Sequence, residues 1–266
     1  VFFVDDQGFP MTQIALQLYT LRDFLKTPAD VAVTLRRVRE MGYGAVQVSG
    51  LGPIDPVELA RILKGEGLTC CVTHVGFDRM VKEPEKLIEE HRLWGCGLTA
   101  VGGFWQGNAE DDWKRFAADY SRAADTLASL GLRIGYHNHS HEWIRLPSGR
   151  MPIEVLRDEC SRNVWFEIDT YWVQHGGGDP RAWIETFAGR IPVVHLKDMR
   201  VVRNEGGQIV PQMAEVGEGN LNWAGILESC RGSGVQWYTV EQDTCQRDPF
   251  ESVAMSLRNL KAMGLQ

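Results

Sequence analysis

Eight short β-rich runs, each separated from the next by a longer segment of helical period, constrain this chain more than any other feature. The runs are Ile14–Leu18, Ala45–Val48, Thr69–Val75, Leu98–Val101, Arg133–Asn138, Val164–Asp169, Pro192–Leu196 and Trp237–Glu241. Between them, apolar residues recur at helical spacing, as in Phe116, Tyr120, Ala124, Leu127 and Leu130, or Phe250, Val253, Leu257 and Leu260. Helix starts repeat as Thr27-Pro28, Asp55-Pro56, Asp179-Pro180 and Asp248-Pro249, a capping oxygen before a proline that needs no intrahelical N–H partner. Glycines 42, 67, 131, 234 and 264 stand where the helical runs stop. Strand, capped helix, glycine and next strand make a βα unit. Such units in series imply a parallel sheet with right-handed crossovers.

Eight units predict closure into a single (β/α)8 TIM barrel spanning residues 1–266, with 1–10 as an N-terminal arm. The alternative is an open doubly wound sheet. It is disfavoured because the first βα turn carries no glycine-rich phosphate loop. Residues 200–220, the longest stretch without clear period, read as an extended loop over the barrel mouth. The formal net charge of −7 argues against nucleic acid as the partner, and no apolar run reaches membrane-spanning length. Six scattered cysteines without paired zinc spacing read as free thiols of a reducing, cytoplasmic setting. An export signal removed before Val1 is compatible with the same sequence. So is a homo-oligomer.

In this fold chemistry gathers at the C-terminal ends of the strands. The first four end modestly, on Gln17 and Tyr19, Gln47, His74, and Phe104 with Trp105. The last four are dense in ionisable groups: His137-Asn138-His139 running on to His141 and Glu142, Glu167-Ile168-Asp169, His195-Leu196-Lys197-Asp198, and Glu241-Gln242-Asp243. One ligand from each end gives Glu142, Asp169, His195 and Glu241. Three carboxylates and an imidazole suit a hard or borderline divalent ion, Mn²⁺ first, with Mg²⁺, Co²⁺ or Zn²⁺ as alternatives. Without a cation, crowded carboxylates would raise one another's pKa.

These segments, together with Asp169-Thr170-Tyr171-Trp172 and Val216-Gly217-Glu218-Gly219-Asn220, resemble the xylose-isomerase-like barrel superfamily from Ile14 onward. Within it they are similar to the sugar phosphate isomerase/epimerase group, which includes ketose 3-epimerases, inosose dehydratase, 3-dehydroshikimate dehydratase and 3-keto-glycoside lyases. The resemblance implies a Glu, Asp, His, Glu metal set from the last four strands. Asp169, His195 and Glu241 fill three of its places. For the fourth, Glu142 is the expected ligand and His137 the alternative, because relatives carry a glutamate on the fifth strand where this chain has His137.

The resemblance further implies an isomerase, epimerase or lyase of a sugar or keto-sugar that removes a proton beside a carbonyl. His139, Glu142, Glu241 and Lys197 are the candidate catalytic groups; His74, His137, Trp105 and Trp172 are candidates for holding a small carbohydrate. The histidine cluster leans towards elimination, since one imidazole can serve as base and then as acid. Gly176-Gly177-Gly178 reads as a turn rather than a phosphate cradle, and Gly217 and Gly219 as pivots of the seventh loop. Two other readings are an endonuclease IV-like metal-dependent phosphodiesterase and a non-catalytic sugar-binding barrel.

Overall fold

The computed structural model describes residues 13–265; the arm expected at 1–10 lies outside them. Eight parallel strands close in the order β1-β10-β7-β6-β5-β4-β3-β2. They are β1 (Gln13–Gln17), β2 (Ala45–Val48), β3 (Thr69–His74), β4 (Leu98–Val101), β5 (Arg133–His137), β6 (Trp165–Asp169), β7 (Val193–Leu196) and β10 (Trp237–Val240). Each expected run becomes a barrel strand with its ends moved by no more than a residue.

The local rules hold at the helix ends. Thr27 and Asp30 form a reciprocal cap at the start of α1 (Pro28–Glu40), Asp30 Oδ2 accepting the Thr27 N–H at 3.0 Å. Asp55, Asp179 and Asp248 accept backbone N–H groups at the starts of α2 (Pro56–Glu66), α8 (Pro180–Thr186) and α10 (Pro249–Ala262). Gly67 closes α2 at φ +64°, the left-handed conformation that favours glycine. On α5 (Glu110–Ser129) the stripe Phe116, Tyr120, Ala124 and Leu127 is buried. Leu130 lies beyond the last helical turn and is exposed.

Residues 200–220 differ from expectation. They are not an irregular loop, because β8 (Asp198–Arg203) and β9 (Ile209–Ala214) pair antiparallel into a ribbon. Their burial alternates with a period of two, which a search for helical period passes over. The six cysteines are free thiols, five of them buried.

The barrel interior is built in floors, because alternate residues of a strand share a face. Trp165, Glu167 and Asp169 of β6 are successive inward residues. Trp165 plugs the lowest floor with Ala15, Ala45, Ala100 and Val193, a cluster separate from the main core between barrel and helices. Its indole lies against Gly135 of β5, where a Cβ would fall well inside contact distance of the ring. Because the ring is fully buried, Gly135→Ala has no room to relax. The variant is expected to lose about 3 kcal/mol or more in urea unfolding, and an unchanged midpoint would refute this account of the plug.

Candidate active site

Above the plug the inward residues become polar. His137 ends β5, Asp169 ends β6, His195 lies on β7 and Glu241 follows β10. Each offers one atom to a group whose members lie within 4.8 Å of one another, and all four side chains are buried. His195 Nδ1 stands 2.9 Å from Glu241 Oε2 and 3.8 Å from Asp169 Oδ2, and His137 Nε2 stands 3.4 Å from Asp169 Oδ2. Lys197 Nζ enters from two residues beyond His195, at 3.0 Å from Asp169 Oδ2, 2.9 Å from Glu241 Oε2 and 2.6 Å from Asp243 Oδ2.

The charges are mutually dependent. Burial alone would discharge every member, but Glu167 and Glu241 hold His195 protonated well above the ordinary imidazole range. Against the same burial, Lys197 and the histidines hold Asp169 and Glu241 ionised well below the usual carboxylate range. His137 and His139 are pushed the other way by burial and by neighbouring cationic groups, His139 down to about 2, so both imidazoles are neutral.

This donor set fits a divalent cation. Both ring nitrogens of His137 are buried without a hydrogen-bond partner, a costly arrangement unless a lone pair has another use. Two imidazoles and two carboxylates are the ligand types of a borderline divalent ion, and no thiol belongs to the group.

Asp169, His195 and Glu241 converge as expected from the sequence. The fourth converging residue is His137 and not Glu142. Past the end of β5 the chain turns through a 3-10 segment, His141–Trp143, which folds the Glu142 carboxylate back beneath the turn. There Oε1 accepts the Tyr136 hydroxyl at 2.7 Å and Oε2 the His139 N–H at 2.9 Å. Burial raises the Glu142 carboxyl to about 8 despite these bonds. His141 Nε2 donates to the Phe104 carbonyl at 3.0 Å, and its Nδ1 lies 3.4 Å from Glu142 Oε2 without a hydrogen bond to it.

The other expected residues surround the cluster. His139 has a buried Nδ1 without a partner and lies against Trp172, ring centroids 5.4 Å apart. Lys197 Nζ stands 5.5 Å from the centroid of the Trp172 ring. Trp105 is 62% exposed at the rim and stacks on His141 with centroids 4.1 Å apart. His74 reaches the cluster through Glu167, its Nε2 2.5 Å from Glu167 Oε2.

Three residues of this network stand at strand ends in the sequence but receive no role there. Glu167 and Gln47 are fully buried in the floor below His195, and Asp243 pairs with Lys197. Taking one ligand per strand end hides Glu167, although its spacing of two from Asp169 puts it on the same inward face. Two glycine motifs prove structural. Gly217 and Gly219 donate their N–H groups to the buried Asp198, and Trp223 Nε1 does so at 2.6 Å, which anchors the root of the ribbon. Gly176 and Gly178 admit the indole of Trp143, so that turn is filled by packing.

Fold and site together define a (β/α)8 barrel with a buried His/Asp/Glu cluster at the C-terminal mouth that could hold a divalent cation. Residues 35–263 match the xylose isomerase-like TIM barrel family, and the chain belongs to that family. It is 24% identical over 258 residues to an inosose dehydratase of Lacticaseibacillus casei, covering 83% of this chain and 85% of that protein. It is also 26% identical over 268 residues to the rhizopine catabolism protein MocC of Rhizobium meliloti, with 86% and 80% covered. Among solved structures it superposes on a sugar phosphate isomerase/epimerase from Parabacteroides distasonis with a TM-score of 0.81 at 23% identity, covering 98% of this chain and 99% of that one. No helix among the described residues is long and apolar enough to cross a membrane.

Proposed function

We propose that this protein is a divalent-metal-dependent lyase that removes water from a keto-sugar or keto-cyclitol after taking a proton from the carbon beside the carbonyl. The observation that carries the reading is the convergence of His137, Asp169, His195 and Glu241 beside one neutral imidazole, His139, and one ammonium, Lys197. Similarity to inosose dehydratases supports the substrate class.

His137 Nε2, Asp169 Oδ2, His195 Nδ1 and Glu241 Oε2 would hold the ion. Bound there, a divalent ion polarises a carbonyl or hydroxyl oxygen as a Lewis acid. His139, neutral and with Nδ1 free, takes the proton from carbon, and the C–H electron pair becomes the new double bond as the C–O bond breaks. The same imidazole returns that proton to the departing hydroxyl, which leaves as water. Lys197, kept charged by three carboxylates, donates hydrogen bonds to substrate oxygen and balances developing negative charge. Trp172 and Trp105 offer apolar faces to the ring and shield the reacting carbon from bulk water. Epimerisation through two carboxylates on opposite faces is the second reading, and the burial of Glu142 beneath its turn counts against it.

The test is a screen of ketoses, inososes and 3-keto-glycosides with Mn²⁺ in deuterated water. Loss of water from a keto substrate is expected, and the purified protein should carry about one divalent ion per chain. Deuterium at one carbon without loss of water would replace the lyase reading by an epimerase or isomerase.

A further inference from the structure

Below the donor cluster, the far side of the His195 ring meets a second buried network. Nε2 lies 2.7 Å from Gln47 Oε1 and 3.2 Å from Glu167 Oε1. The Gln47 amide donates from Nε2 to Glu167 Oε2 at 3.3 Å, and His74 Nε2 reaches the same oxygen at 2.5 Å. Gln47, Glu167 and His195 are all fully buried, so water does not substitute for these partners.

The polarity of the network follows from its geometry. The Gln47 amide turns its NH2 to Glu167 Oε2 and its oxygen to His195 Nε2. An oxygen there, with a carboxylate oxygen beside it, requires a proton on Nε2. Nδ1 then faces Asp169 and Glu241, and its proton is the one that a cation would displace.

We infer that Gln47 and Glu167 are positioning residues that hold the Nε2–H of His195 and so present Nδ1 to a divalent cation. The inference rests on the metal-dependent reading above. It assigns a task to two residues that touch neither cation nor substrate. A metal-bound imidazole whose other N–H is held by an oxygen acceptor is fixed in tautomer and ring angle, and loss of that acceptor typically weakens metal affinity about 10–100-fold.

The experiment titrates the metal-depleted full chain with Mn²⁺ and follows free Mn²⁺ by EPR. Gln47→Leu and Glu167→Gln are each expected to weaken binding roughly 10–100-fold. The double swap Gln47→Glu with Glu167→Gln keeps oxygen on His195: the new carboxylate and the new amide oxygen both accept from Nε2–H, while the amide NH2 donates to the carboxylate and to His74 Nε2 in its Nδ1–H tautomer. It is expected to bind within about threefold of wild type, which a role in mere packing or charge burial would not produce. If a single variant does not fold, the swap still decides. Undiminished affinity in the single variants, or a swap no better than they are, overturns the inference. Two ions per wild-type chain, with the second lost in the single variants, would make His74, Glu167 and His195 ligands themselves. A wild-type chain that binds no Mn²⁺ fails differently, because then the metal-dependent reading falls first and takes this inference with it.

Discussion

Asp169→Asn is expected to lower turnover by roughly 10³-fold, about 4 kcal/mol of lost transition-state stabilisation, and to remove most divalent-ion binding. The two carboxylate oxygens have separate tasks. Oδ1 accepts the Trp172 N–H at 3.0 Å and caps α7 (Thr170–His175), whereas Oδ2 faces His137, His195 and Lys197. In the variant the Trp172 N–H still demands an acceptor, so the amide oxygen keeps the cap. The amide NH2 then points into the donor cluster, where it repels Lys197 Nζ and any cation. The barrel should therefore melt within a few degrees of wild type while metal analysis shows loss of the ion. Full metal content with full turnover would mean that the ligands lie elsewhere. Alanine is the poorer probe, because it would also delete the helix cap, worth about 1 kcal/mol.

The second large effect concerns pH and Glu142. Burial raises its carboxyl from 4.5 to about 8 in the folded chain. A raised folded pKa means that the folded state holds the proton more tightly. The resulting stability is fully present below pH 4.5 and is lost as pH rises towards 8. Over that window the loss approaches about 5 kcal/mol at about 1.4 kcal/mol for each pH unit. Glu142→Gln removes the titration. At pH 5 the variant should be less stable than wild type, because an amide NH2 replaces one of the oxygens that accept from Tyr136 and His139. By pH 8 the order should reverse. His139, lowered to about 2, contributes in the opposite sense below pH 6.5, but it does so in both proteins and cancels in the difference. Urea unfolding at pH 5, 6.5 and 8 reads the effect; parallel stability profiles would show that Glu142 ionises normally.

Expectation and structure differ at Glu142 for a reason that also explains what else was missed. The turn after β5 is only a few residues long, and either His137 or Glu142 satisfies a search for a ligand near that strand end. Which side chain joins the buried donor cluster depends on where the turn folds, and the Tyr136 hydroxyl holds the Glu142 carboxyl outside it. The β8–β9 ribbon was hidden by a different cause. Its strands carry Arg200, Arg203, Pro211 and Gln212 on a largely exposed ribbon, so no apolar alternation advertises them.

Read alone, the sequence determined the eight βα units, because caps, prolines and apolar periods act within a few residues of where they occur. It also determined that Asp169, His195 and Glu241 share one mouth, since barrel closure leaves strand ends nowhere else to meet. Only the tertiary structure decided that His137 completes the group and that Gln47 reaches His195 across 148 residues of chain. A hydrogen bond across the barrel interior depends on strand register and on which face each strand turns inward. The separated residues carry that information jointly, and neither carries it alone.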